Sequence, residues 1–249
     1  MNGILITGGS SGLGRALALA YARPGNLLFL TGRDQERLGE TAELCRRRGA
    51  QVEMQVLDVR DGRRMEDWVF SAERRAPVGL VIANAGISGG TAGGEEATQV
   101  REIFSVNVDG VLNTVLPAIR VMKPRRRGQI AIMASLAAFR GQPGAPAYAA
   151  SKAAVKAWGE GLRGTLAQDG IGVSVICPGF VTSSMTAINE FPMPFLMSAE
   201  RAARLMKRGI DANRARIAFP WPMVTAAWLM AALPPGLTDE VLKRLPKKR

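Results

Sequence analysis

Gly3-Ile-Leu-Ile-Thr7 runs into Gly8-Gly-Ser-Ser-Gly-Leu-Gly14 and then into Arg15-Ala-Leu-Ala-Leu-Ala-Tyr-Ala22, closed by Pro24-Gly25. The first piece is apolar without alternation, as a strand covered on both faces of a sheet must be. The last piece reads as a helix from about Leu13. The same alternation continues along the chain. Strands are expected at 27–31, 51–57, 80–83, 129–134 and 172–176, with helices at 35–48, 62–76, 96–122 and 147–168. Pro117 is expected to bend the long helix. A helix from Ser198 to about Arg208 and a short seventh strand at 216–219 follow, then an apolar segment and a short helix from Thr238. Apolar strands alternating with helices give an α/β fold, a doubly wound parallel sheet in three layers. No linker or repeat divides the chain, so residues 1–249 read as a single domain.

The chain has 249 residues and no histidine, which removes every mechanism built on imidazole. Cys45 and Cys177 cannot make a four-thiolate zinc site, so no metal is expected, and they read as free thiols in a reducing cytosol. Met1-Asn2 leads directly into the first strand, so no signal peptide is expected. No apolar run approaches the roughly 20 residues that span a bilayer. The expected location is cytoplasmic. The net charge of +12 admits nucleic acid as a partner. Residues 201–249 hold 11 Lys/Arg against 3 Asp/Glu, however, so the charge is a basic segment on a nearly neutral body. No RRM, KH or zinc motif accompanies it, and nucleic acid is set aside.

The glycine-rich turn joins a strand to a helix, where free N–H groups and the positive helix end hold a pyrophosphate. Its candidate cofactor contacts are Gly8, Ser10, Ser11, Gly12, Leu13 and Gly14. No Lys-Ser/Thr pair follows, which argues against an NTPase. The second strand ends Leu30-Thr-Gly-Arg33, 19 residues after Gly14. An acid there would bind the ribose 2′-hydroxyl of NAD. Arg33 instead suits a 2′-phosphate, so NADP is expected. Asp34 either offsets Arg33 or caps the second helix. Asp58-Val59 and Asn84-Ala85-Gly86 end the third and fourth strands and read as contacts to the adenine and its ribose.

Tyr148 and Lys152 stand one helical turn apart on one face. A phenol titrates near pH 10, and a nearby ammonium or a positive helix end lowers that value toward the range useful for proton transfer. Ser135, 13 residues upstream of Tyr148, ends the fifth strand and is placed to orient a substrate oxygen.

On these residues, with Asn107 in Ser105-Val-Asn-Val-Asp-Gly110 and with Pro178-Gly179, the chain resembles the short-chain dehydrogenase/reductase family from residue 3 to about 185. The resemblance implies a Rossmann fold and an NADP-dependent oxidoreductase acting on CH–OH or C=O groups. It implies Tyr148 as general acid/base and Ser135 as the group fixing the substrate oxygen. Lys152 would lower the tyrosine pKa and bind the nicotinamide ribose. Asn107 would hold a water that passes protons out through Lys152. Pro178, Gly179, Val181 and Thr182 would contact the nicotinamide. Residues 1–185 are then the cofactor and catalytic core, 186–210 a substrate lid, and 219–249 an extension. The alternative is a catalytically silent nucleotide-binding protein on the same fold.

Two features depart from the family. No Gly-Gly pair follows Phe219, which speaks against the family's tetramer and leaves a homodimer. The segment 219–233, with two Trp and two Met, carries no motif. It reads as a packed extension with its tryptophans buried, a cover for the substrate cleft, a dimer contact, or a peripheral contact with an anionic membrane. Packing is the expectation. Phe191-Pro-Met-Pro-Phe-Leu-Met197, where the family places its lid, is apolar and adaptable, which implies a lipophilic small-molecule substrate.

Overall fold

The computed structural model describes residues 2–89, 95–187 and 191–243. In chain order the strands are β1 (Asn2–Thr7), β2 (Asn26–Gly32), β3 (Gln51–Val56), β4 (Val78–Ala83), β5 (Gly128–Met133), β6 (Ile171–Pro178) and β7 (Arg216–Phe219). The helices are α1 (Gly12–Tyr21), α2 (Gln35–Arg47), α3 (Gly62–Arg75), α4 (Ala97–Phe104), α5 (Gly110–Met122), α6 (Pro146–Ala167), α7 (Ser184–Ala187), α8 (Ala199–Asp211), α9 (Trp221–Ala232) and α10 (Pro235–Lys243). The seven strands form one parallel sheet in the order β3-β2-β1-β4-β5-β6-β7. The chain builds outward from β1 to β3, then restarts at β4 on the other side of β1. That reversal leaves a crevice beyond the ends of β1 and β4, where open α/β sheets bind ligands.

Both faces are covered. Leu17 of α1, Leu38 of α2 and Met206 of α8 are buried against one face, and Val69 of α3, Val115 of α5 and Val155 of α6 against the other. A strand between two helical layers has no wet side, and β2 is buried at every position. At the edge, β3 alternates more nearly between buried and open positions. Phe29 and Trp68 pack edge to face at 5.9 Å between sheet and α3.

Two expectations are corrected. The helix expected at 96–122 is two helices joined by a π turn at Ser105–Asp109, and Pro117 lies buried within α5. The widened turn carries Asn107. Residues 199–210 form most of α8, whose Ala202, Met206 and Ile210 are buried in the layer beside α1. The tryptophans of the extension are not buried: Trp221 is 76% and Trp228 62% exposed. Apart from Thr225, α9 carries apolar side chains around its whole circumference, and only Met223 and Val224 pack on the core. A helix lying on a surface can turn only one side inward.

Candidate active site

The turn after β1 is shaped by close approach. Gly8 has φ +68°, a region costly for a side chain. A Cβ on Gly14 would lie 2.0 Å from the Gly8 carbonyl oxygen, so α1 starts against the turn itself. Ser11 at the N-cap makes no side-chain cap, and the first turn of α1 holds no acid. The leading N–H groups of α1 are thus left to a ligand, as an anion site requires. Thr7, which sequence reading passed over, pins the crevice. Its Oγ1 accepts the N–H groups of Asn84 (3.0 Å) and Ala85 (3.1 Å). The Asn84 amide donates back to the Thr7 carbonyl at 2.9 Å. Asn84 braces β4 against β1 through its side chain.

Asp34 accepts the Arg37 N–H at 3.0 Å as the N-cap of α2 and pairs with the Arg37 guanidinium at 2.7 Å. It is committed to its own helix. Arg33 is exposed and forms no ion pair among the described residues. Asp58, expected at the adenine, is clamped by Arg60 at 2.7 Å, which holds its carboxyl below the usual range. Val59 is buried under Gly110, where a Cβ would come within 2.5 Å of it.

The polar cluster lies beyond β4, β5 and β6. The Asn107 amide donates to the Ile87 carbonyl (2.9 Å) and to Ser151 Oγ (3.0 Å), while its Oδ1 accepts the Ile87 N–H (2.8 Å). Ser151 Oγ donates to the Tyr148 carbonyl at 2.8 Å, tying the π turn to α6. Ser151 sits inside the Tyr-to-Lys spacing and was not singled out from sequence. Lys152 Nζ donates to the Met133 carbonyl at 2.9 Å and is buried. A Cβ on Gly86 would stand 3.1 Å from both Asn107 Oδ1 and Lys152 Nζ, so Gly86 leaves open the point where the two converge.

Burial pushes the Tyr148 phenol up, and the neighbouring Ser135 side chain, which favours the phenolate, offsets that only in part. Lys152 Nζ lies 5.9 Å from the Tyr148 ring centroid. It is turned toward Met133. Burial lowers Lys152 itself to about 8. A further residue missed in sequence is Glu95, whose carboxylate accepts the Ala147 N–H at 2.7 Å. It caps the helix that carries Tyr148, which no local side chain does.

The segment after β6 arches over the glycine turn: Ser183 Cβ lies 3.2 Å from where a Gly12 Cβ would be. The Gly179 N–H donates to the Phe219 carbonyl at 2.8 Å, and Thr182 N–H to the Met197 carbonyl at 2.9 Å. Val181 is buried in a bridge to Met197. Apolar groups crowd the same end. Phe180 and Phe191 meet edge to face at 6.0 Å, and Met223 Sδ and Leu136 border Gly179.

A family profile described as short chain dehydrogenase matches residues 2–191. An uncharacterized oxidoreductase of Myxococcus xanthus strain DK1622 is 39% identical over 244 residues, covering 97% of this chain and 96% of that protein. A relative from Streptomyces virginiae, named for a ketoacyl reductase of the monensin polyketide synthase, is 38% identical over 189 residues, 73% of this chain and 71% of its own. The crystal structure of a short-chain dehydrogenase/reductase from Burkholderia phymatum in complex with NAD superposes with a TM-score of 0.84 at 27% identity, covering 100% of this chain and 97% of that one.

Proposed function

The chain belongs to the short-chain dehydrogenase family, and from that premise we propose that it is an NADP-dependent oxidoreductase for a lipophilic carbonyl or alcohol, with Tyr148 as its proton donor and acceptor. When bound, the nicotinamide supplies or accepts the hydride at the substrate carbon. In the reducing direction, Ser135 Oγ donates a hydrogen bond to the substrate oxygen and Tyr148 Oη passes its proton to that oxygen. The resulting phenolate is reprotonated through Lys152 and Asn107, which flank the open position at Gly86. The observation that carries this reading is the convergence of buried Lys152 and Asn107 on the open position at Gly86, with the Lys152 ammonium 5.9 Å from the Tyr148 ring. The residues also fit a dinucleotide. The uncapped start of α1 suits the pyrophosphate, held by Gly8, Ser10, Ser11, Gly12, Leu13 and Gly14.

Support for NADP over NAD comes from Arg33 and Asp34: the carboxylate that would oppose a 2′-phosphate is occupied by Arg37. Phe180, Leu136, Met223 and the segment 191–197 support a lipophilic substrate, with 191–197 as its lid. The ketoacyl reductase name of one relative points the same way. A homodimer is the matching assembly. Leu116 on α5 is exposed, and Cβ atoms on Gly161 and Gly164 of α6 would meet nothing, which leaves room for a second copy. The test is NADPH consumption with a panel of long-chain ketones and 3-oxoacyl thioesters. Turnover is expected with NADPH, and about tenfold or more weaker affinity for NADH. Absence of turnover with every substrate above the Tyr148→Phe background overturns the reading.

A further inference from the structure

We propose that the outer face of α9 and α10 docks the protein on an anionic membrane surface, lying in the headgroup region of one leaflet. From Ile217 to Thr238 the chain carries no charged residue. A helix apolar on all sides is ordinarily enclosed. Here only one side is. Met223 is wedged against Gly179 with its sulfur 3.0 Å from that residue's Cβ position, while Trp221, Trp228 and Leu229 on α9 and Leu237 on α10 stand exposed at 76, 62, 53 and 68%. Exposed apolar surface of this kind, built from tryptophan and leucine, marks an interaction site. Arg140 fastens α10 to the body through Asp239 Oδ1 at 3.1 Å and Thr238 Oγ1 at 3.2 Å, so the patch is presented on a fixed support.

Length and charge select the occupant. Twelve residues of helix reach about 18 Å, short of the roughly 30 Å hydrocarbon core, and no helix among the described residues is long and apolar enough to cross a membrane. The patch can therefore lie on a bilayer but not span it. Tryptophan is the side chain most at home at that interface. Positions 243–249 of the sequence hold five Lys/Arg and no acid. In sequence this basic stretch directly follows α10, so a second copy would add like charge, whereas anionic headgroups attract each cation. The choice of a membrane over a second copy follows from that sign.

The inference does not depend on the oxidoreductase reading, and its test uses neither cofactor nor substrate. The purified full chain is floated with vesicles of phosphatidylglycerol and phosphatidylcholine, and with phosphatidylcholine alone. Binding is expected only to the anionic vesicles and should fall as salt rises from 0.1 to 1 M, since the Debye length shrinks from about 10 to 3 Å. Trp228→Ser and Trp221→Ser should each weaken binding about tenfold while leaving the thermal midpoint and sedimentation mass unchanged. No flotation on anionic vesicles overturns the proposal. So does a fall in sedimentation mass in either variant, which would make the patch a contact between copies.

Discussion

Two regions of this molecule break the rule that polar groups stay wet and apolar groups dry, and they break it in opposite ways. Beyond β4 and β5, Asn107, Ser151 and Lys152 are buried, yet each has partners within the chain: Ile87, the Tyr148 backbone and Met133. On α9 and α10, Trp221, Trp228 and Leu237 are exposed, with none of the described residues covering them. A buried polar group without a partner costs about 1–3 kcal/mol, and the first region avoids that cost by its own hydrogen bonds. Exposed apolar area can be relieved only from outside. The polar groups of the first region are satisfied within the chain, and the second leaves its apolar side chains open among the described residues. Arg33 is of the second kind, an exposed cation with no ion pair among the described residues.

The sharpest way to break the comparison is at Tyr148. If the first region is a working site, Tyr148→Phe removes the proton donor, leaves the ring in place, and lowers kcat by about 10²–10⁴-fold. Its thermal midpoint should stay near that of the wild type, since Ser135 keeps the Ala137 N–H as a partner. A kcat within a few-fold of wild type would mean that the buried cluster is only structural.

Lys152 tests what completeness costs. Its ordinary pKa of 10.5 is lowered to about 8 by burial. Between those two values the unfolded chain holds the proton more tightly than the folded one, so folding stability rises with pH across that window. Below about pH 8 the full penalty is present, on the order of 3 kcal/mol at most. Lys152→Met lacks this group. The stability of the wild type relative to the variant, from urea midpoints at pH 7 and pH 10, should therefore rise with pH. An unchanged difference would place the ammonium in a site as wet as the surface.

Arg33→Ala asks whether an unpaired cation awaits a phosphate. A charge-assisted contact contributes roughly 1.5–3 kcal/mol, about 10- to 150-fold in affinity. NADPH binding, followed by calorimetry, should weaken by that factor while NADH binding holds. Equal losses would make Arg33 a structural residue and remove the argument from Asp34.

The two regions also differ in how far they were legible. The strands and the glycine turn could be read because burial on both faces leaves an unbroken apolar run, and because the close approach of Gly14 to Gly8 excludes a side chain. Tyr148 and Lys152 could be read because helical spacing puts them on one face and the family resemblance gives that pair a role. The π turn at Asn107 could not, since one widened turn leaves no periodic mark. Glu95, capping α6 from about fifty residues away, is a tertiary fact with no local signature. Asp34 was readable only as a choice between two partners, and Arg37 decided it. The exposure of α9 was misread because composition says that tryptophan is buried. It does not say how much of a uniformly apolar helix can face the body at once.

The smallest expected effect is the one that separates the regions most cleanly. Trp228 is 62% exposed and contributes little to the core, unlike Trp68, which packs edge to face on Phe29 and is nearly enclosed. Substitution of an exposed residue away from caps and buried networks usually changes stability by no more than about 0.5 kcal/mol. Trp228→Ser should therefore unfold in urea at nearly the wild-type midpoint, and in the absence of lipid it should turn over a water-soluble ketone at an unchanged rate. Serine would be the poorer residue only where something covers the face. A loss of several kcal/mol in the isolated chain would mean that the outer side of α9 is already packed, and the contrast between a self-sufficient site and an open surface would disappear. An unchanged midpoint together with weakened flotation would locate the missing partner outside the fold.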